Sequence, residues 1–201
     1  MARPEREPSL RLFVACELPS DVRAGLEAIQ RELRARGGER LRYVRPEGIH
    51  VTLKFLGEVP RSRVAPIQEA LATAVPAPPR LRLRAGALGT FGGRQRLRVI
   101  WIGLEGDTQR LAELASRVEE GLERLGFSRE RRPFTAHLTL ARVHDSATPE
   151  ERARLAQAVE GCPLPDMPEF IVERVSLMQS TLEPGGAVYR RLAAFPPQAG
   201  A

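Results

Sequence analysis

Of the three histidines in this chain, two fall at the same place in a pattern that the sequence spells twice. Arg45-Pro46-Glu47-Gly48-Ile49-His50-Val51-Thr52-Leu53 and Arg132-Pro133-Phe134-Thr135-Ala136-His137-Leu138-Thr139-Leu140 both read R-P-x-x-x-H-[VL]-T-L. Side chains two apart on a strand share a face. His50 therefore sits with Thr52 and His137 with Thr139, while Val51, Leu53, Leu138 and Leu140 turn to the core. A neutral imidazole takes a proton and an imidazolium gives one, and both forms coexist around pH ~6.5. A threonine hydroxyl beside each ring can hold a phosphoryl oxygen or orient the ring. If the two strands line one cleft, the site suits in-line displacement at phosphorus: one histidine activates water and the other protonates the departing oxygen. A single H-x-T is more often structural; its repetition in one frame points to a site.

That chemistry needs neither metal nor cofactor, and the sequence offers no motif for one. A metal site would want a carboxylate or a third histidine at ligand spacing, and there is no H-x-D or H-E-x-x-H. The G-x-x-x-x-G-K-[ST] loop that cradles ATP phosphates is absent, and so is the G-x-S-x-G elbow. Cys16 lies in an apolar run that suggests burial rather than a reactive thiol.

The elements that must position the motifs follow from periodicity. The 201 residues, 42% apolar, allow a sizeable core without disulfide or metal staples. Residues 1–9 read as a disordered tail and Leu10 to Leu18 as a buried strand. A helix follows with Ser20 as N-cap and Val22, Leu26, Ile29 and Leu33 as its apolar stripe, ending at Gly37-Gly38. Leu41 to Val44 and His50 to Leu56 are strands, and Pro60 opens the next helix at its first position. Val75 to Pro79 is a break. Arg80 to Leu88 and Leu97 to Leu104 are a strand pair around the loop Gly89 to Arg96. Asp107 starts the longest helix, which Gly126 stops. Thr135 to Val143 carries the second motif. Thr148-Pro149-Glu150-Glu151 is a capping box for a helix to about Glu160. Phe170 to Ser180 and Ala187 to Phe195 are late strands joined by the turn Glu183 to Gly186, and residues 196–201 are a second tail. This order is not the steady alternation of a parallel α/β sheet. It predicts an α+β fold over residues 10–195, bilobal, with two similar halves of mostly antiparallel sheet, helices outside, and the H-x-T strands side by side at a central cleft.

Net charge is +6 and the pI about 10.5, which permits a polyanionic partner. The charge is almost all arginine, with Lys54 the only lysine, a bias that G+C-rich coding also produces. Cys16 and Cys162 form no C-x-x-C pair and read as reduced thiols. The apolar run Leu12 to Cys16 is too short for a signal or a membrane span, so the expectation is a cytoplasmic monomer with no membrane association.

Taken together these stretches resemble the RNA 2',3'-cyclic phosphodiesterases, also called 2'-5' RNA ligases, of the two-histidine phosphoesterase superfamily. The resemblance runs through Arg11-Leu12-Phe13-Val14-Ala15, Val44-Arg45-Pro46, and His50-Val51-Thr52-Leu53-Lys54-Phe55-Leu56-Gly57. It continues in Arg98 to Leu104, Phe134 to Arg142, and Ser180-Thr181-Leu182 before Tyr189. It implies metal-independent hydrolysis of RNA 2',3'-cyclic phosphate ends, tRNA fragments among them, to 2'-phosphates. His137 would be the general base, His50 the general acid, and Thr52 and Thr139 the holders of phosphate oxygens. ATP-independent 2'-5' joining is the reverse reaction. Ala136 stands where the family often has proline. Arg142 matches the family's H-x-T-x-x-R arginine, although strict alternation puts it opposite His137, so it needs a bulge to reach phosphate. Lys54, four residues after His50, would share its face. Phe91 and Phe13 are candidates for stacking a base, with Phe13 closer to core. His144 reads as a surface residue. The rival readings are a related enzyme acting on small cyclic nucleotides or 2'-5' oligonucleotides, and a non-catalytic RNA-end binder. What makes one histidine acid and the other base must lie outside the nine residues.

Overall fold

The computed structural model describes residues 7–184 and 186–197. Residues 1–6, residues 198–201 and Gly185 of the expected hairpin turn lie outside them. Within the described residues the chain forms β1 (Ser9–Glu17), α1 (Ser20–Ala35), β2 (Leu41–Tyr43), β3 (His50–Pro60), α2 (Val64–Ala74), β4 (Leu81–Phe91), β5 (Val99–Gly106), α3 (Thr108–Glu123), β6 (His137–Val143), α4 (Pro149–Glu160), β7 (Glu169–Val172), β8 (Val175–Glu183) and β9 (Gly186–Phe195).

The strands pair antiparallel throughout the described residues, in the order β7-β4-β5-β6-β3-β1-β8-β9, with β2 added along β6. The two motif strands, β3 and β6, are neighbours at the middle, paired through Val51 and Leu138. Each half of the sheet has four strands in the main path, so this pair marks a pseudo-twofold axis. The halves are interlaced. β4 leaves the first H-x-T half to pair with β5, and β8 returns from the second half to pair with β1. The sheet must also curl. Only Glu173 and Arg174 link β7 to β8, which sit far apart in strand order. Three Cα steps span at most about 11 Å, so the outer strands are brought together around a concave face.

The two faces of the sheet have opposite chemistry. Leu12, Val14, Cys16, Val51, Leu53, Leu138 and Leu140 join Val22, Leu26, Ile29, Leu33, Ile67, Leu71, Leu111 and Val118 in one core, so the helices cover that face. The other face holds the alternate residues, among them a small second cluster of Phe13, Ala15 and Met178 with Tyr189 against it. Removing such side chains from water is worth roughly 1.5–3 kcal/mol each, which fixes which face each strand presents.

Several boundaries differ from the sequence expectation. Pro19 rather than Ser20 is the residue before α1, with no side-chain cap. β1 begins at Ser9, inside the expected tail, and Glu7 is tied down by the Ser62 amide at 2.6 Å. Pro60 ends β3 instead of opening a helix; a 3-10 turn over Arg61–Arg63 intervenes. β4 runs on to Phe91, so Gly89 to Phe91 are strand rather than loop. β6 starts at His137, not Thr135. Phe170 to Ser180 is not one strand, because Glu173-Arg174 interrupts it and sends the chain from one sheet edge towards the other. The Thr148 capping box forms as read: the Glu151 amide donates to Thr148 Oγ1 at 3.2 Å and the Thr148 amide to Glu151 Oε2 at 2.8 Å.

Candidate active site

Strand register builds the site. Val51 pairs with Leu138 in an antiparallel ladder, so continuing that register one step each way sets His50 against Thr139 and Thr52 against His137. Side chains directly opposite on such a pair stand about 5 Å apart at Cβ. Each histidine thus lies beside the other's threonine on the concave face. All four residues are half-buried, whereas Val51, Leu138 and Leu140 behind them are buried.

Both rings are held in one tautomer. His50 Nδ1 lies 2.7 Å from the Gly48 carbonyl, and His137 Nδ1 lies 2.7 Å from the Thr135 carbonyl. A carbonyl oxygen only accepts, so Nδ1 carries the hydrogen in both rings. Nε2 is left as the atom that gains or gives a proton. The repeat builds this itself, since the carbonyl comes from the residue two before each histidine.

Bulges re-aim the residues that follow. In β1–β3, Val14 pairs with Lys54 and Ala15 with Thr52, which skips Leu53. In β5–β6, Ile100 pairs with Ala141 and Trp101 with Thr139, which skips Leu140. A one-residue insertion flips the facing of everything beyond it. Lys54 therefore turns inward, contrary to the sequence expectation: it is 8% exposed, 2.6 Å from Glu119 Oε1 and 2.6 Å from the Ser128 carbonyl. Arg142 turns outward, the bulge that its motif position required, and its charge acts on Tyr189. The Leu140 bulge is secured from afar. Buried Gln30 of α1 donates to the Leu140 carbonyl at 2.9 Å and to the Val44 carbonyl at 2.7 Å, and the Val44 amide also donates to Leu140.

Aromatic rings wall the two histidines differently. Phe13, 2% exposed, stacks on His50 at 4.7 Å between centroids, and Tyr189 meets His50 edge-on at 5.2 Å. Phe13 is thus a floor for the ring and not free to stack a base. Phe91 and Trp101 stand edge-on to His137 at 5.1 and 5.9 Å, and Phe91 keeps an exposed surface. Phe55, brought to the concave side by the Leu53 bulge, is 65% exposed. His144 is half-buried rather than a plain surface residue. His137, Thr52, Phe55 and Phe91 line a groove of about 1300 Å³ that also carries Arg96, Arg98 and Arg132. His50 lines a smaller cavity of about 210 Å³ with Glu17, Arg23, Glu47, Tyr189 and Arg191.

Burial pushes His50 down to about 4, against the pull of its bond to the Gly48 carbonyl and of the Glu17 carboxylate, while His137 adds to the lowering. Unfolded, the same ring takes a proton near pH ~6.5. Between those values the unfolded chain binds the extra proton, so stability is full above about pH 6.5 and falls as the pH drops towards 4. The full separation corresponds to about 3 kcal/mol. Urea midpoints taken from pH 7 to 4 should fall more steeply for the wild type than for His50→Gln.

The sequence pattern did not single out Glu17, Arg191, Gln30, Phe55 or Trp101 as parts of the site. Glu17 carried a signal, an acid closing an otherwise apolar strand in phase with Phe13 and Ala15. Gln30 carried a weaker one, a polar residue beside the apolar stripe of α1.

Two histidines held on paired central strands, each beside the other's threonine and with Nε2 free, define a two-histidine phosphoesterase. The chain belongs to the LigT-like phosphoesterase family, whose pattern matches twice, over residues 17–101 and 102–189, once for each H-x-T. It is 34% identical over 186 residues to an RNA 2',3'-cyclic phosphodiesterase of Archaeoglobus fulgidus, covering 92% of this chain and 99% of that one. It is 31% identical over 180 residues to one of Methanocaldococcus jannaschii, covering 90% and 96%. Among solved structures, a Thermus thermophilus protein superposes with a TM-score of 0.74 at 29% identity, covering 92% of this chain and 97% of that chain. Escherichia coli LigT complexed with 3'-AMP superposes at 0.72 with 25% identity, covering 94% and 99%. Among the described residues no helix is long and apolar enough to cross a membrane.

Proposed function

We propose that the chain hydrolyses RNA 2',3'-cyclic phosphate ends to 2'-phosphates by acid–base catalysis between His137 and His50, without metal or cofactor. The observation that carries this reading is the shared tautomer: both Nδ1 atoms are occupied by carbonyls at 2.7 Å, so both Nε2 atoms are free to act as proton carriers. His137 Nε2 takes a proton from water as its oxygen bonds to phosphorus. The bond from phosphorus to the ribose 3'-oxygen breaks, and His50 Nε2 gives its proton to that oxygen. Thr52, Thr139 and Arg142 hold the phosphoryl oxygens. Run with a 5'-hydroxyl in place of water as the attacking group, the same steps join RNA ends 2'-5' without ATP.

The relatives named as RNA 2',3'-cyclic phosphodiesterases support an RNA end as the substrate, and the LigT complex with 3'-AMP supports a nucleotide in the cleft. Arg96, Arg98 and Arg132 beside Phe55 and Phe91 give the larger groove the mixture of cations and rings that suits single-stranded RNA. Phe91, tilted against Trp101 at 5.1 Å between centroids and 38% exposed, is the residue we assign to a base. The free cysteines, Cys16 buried and Cys162 half-buried, fit a reducing cytoplasm. We propose a monomer there.

An oligonucleotide ending in a 2',3'-cyclic phosphate, incubated with the protein and excess chelator but no ATP, should be converted to one ending in a 2'-phosphate. A 3'-phosphate product, or loss of turnover with chelator, would contradict this reading. Equal rates on cyclic mononucleotide and oligonucleotide would instead favour a small-molecule enzyme.

A further inference from the structure

The pseudo-twofold axis allows each neighbour of His50 to be compared with its counterpart around His137. The registers match step for step, each skipping the third residue after the histidine. Alongside Thr52 lies Ala15, and alongside Thr139 lies Trp101. Alongside His50 lies Glu17, and alongside His137 lies Gly103, which has no side chain at all. At the position paired with each histidine the two halves thus differ by one carboxylate.

That carboxylate is built into place. Ser176 of β8 donates to Glu17 Oε1 at 2.6 Å, and Arg191 of β9 donates to the same oxygen at 3.1 Å. Ser176 is 2% exposed, so its bond is not exchanged for water. Glu17 and His50 line the same cavity. On the reading that His50 and His137 are the acid–base pair, we propose that Glu17 is a positioning residue that commits His50, and not His137, to the role of acid.

The physics is a balance of charges. Burial disfavours the imidazolium of His50, and His137 disfavours it further, whereas Glu17 favours it. The other charged or titratable groups around the cavity are Glu47 from the turn before β3, Arg23 from α1, and Tyr189 and Arg191 from β9. Arg191 is bonded to Glu17 itself, which aims the carboxylate and offsets part of its charge. An anionic cyclic phosphate acts on His50 in the same sense as Glu17. Together they draw a proton onto Nε2 as substrate binds. The position paired with His137 is Gly103, which supplies no carboxylate.

The test compares wild type, Glu17→Gln and Glu17→Asp on a 2',3'-cyclic nucleotide. It records kcat/KM against pH together with ¹⁵N titrations of both imidazoles. In Glu17→Gln, His50 should titrate at lower pH while His137 does not move. The limb of the pH profile that reports loss of the acid should shift down by about one pH unit, and the rate beyond that limb should fall about tenfold. Glu17→Asp should restore most of both. An unmoved His50 titration, a rate lowered equally at every pH, or a faster Glu17→Gln enzyme would overturn the assignment. His50→Ala, measured alongside, separates the two levels: an active His50→Ala enzyme removes the acid–base reading itself. An inactive one with unaltered Glu17→Gln removes only the role of Glu17.

Discussion

His137→Ala turns over a 2',3'-cyclic phosphate end about 10²–10⁴-fold more slowly than the wild type, and His50→Ala loses a comparable factor. The basis is geometric. Each ring is fixed at Nδ1 by a carbonyl two residues back, and alanine removes the Nε2 that this bond leaves as proton carrier. Both variants should fold, because the apolar positions behind the site, Val51, Leu138 and Leu140, are untouched. The double variant should be little worse than either single one, since the two rings act in one step and their losses do not add. Far-UV circular dichroism and kcat on the three variants check this together. Losses that multiply in the double variant would mean that the two rings contribute independently, and a rate merely halved in each single variant would mean two separate sites, one for each repeat.

Glu119→Ala should be the most destabilising exposed-side truncation near the site. Lys54 Nζ is buried and held by Glu119 at 2.6 Å and the Ser128 carbonyl at 2.6 Å. Removing one partner of a buried ion pair leaves an uncompensated charge, at a cost of about 3–5 kcal/mol, or on the order of 10 °C in Tm for a domain of this size. The effect reaches the site as well. Glu119 also accepts the Glu130 amide at 2.9 Å, and that segment leads into Arg132-Pro133 of the second motif. Replacing both partners, Lys54→Met together with Glu119→Leu, removes both charges and should cost much less. Calorimetry of the single and the double variant decides it; equal losses would show that the unpaired buried charge is not what matters.

Lys54 and Arg142 show where the sequence stops being legible. Period-two alternation reads correctly from His50 to Leu53 and from His137 to Leu140, because those residues obey one local rule. Beyond them it leaves Lys54 free on the face of His50 and puts Arg142 off it; the bulges instead turn Arg142 outward and bury Lys54 against Glu119 in the wall of the larger groove. A bulge has no compact local signature. The one at Leu140 depends on Gln30 and Val44, roughly a hundred residues away in the chain. Leu140 and Ala141 are an apolar pair that gives no sign of the extra residue. The break at Glu173-Arg174 is similar, for the apolar pattern either side reads as one strand while the curl of the sheet divides it. The α+β fold and the neighbouring motif strands were legible because burial sets them residue by residue. The acid–base asymmetry we propose was not, since it rests on a glutamate and a glycine set beside the histidines by strand pairing.

The central claim is that two near-identical motifs make one site with unlike roles, and a change of leaving group tests it most directly. In a nucleoside 2'-phosphodiester of p-nitrophenol, the departing oxygen leaves as a stable anion and needs no acid, while the attacking water still needs a base. His50→Gln should then recover most of the wild-type rate, and His137→Gln should remain as impaired as it is on the cyclic phosphate. Recovery by His137→Gln instead would exchange the two roles, and equal impairment of both variants would contradict the division of labour altogether.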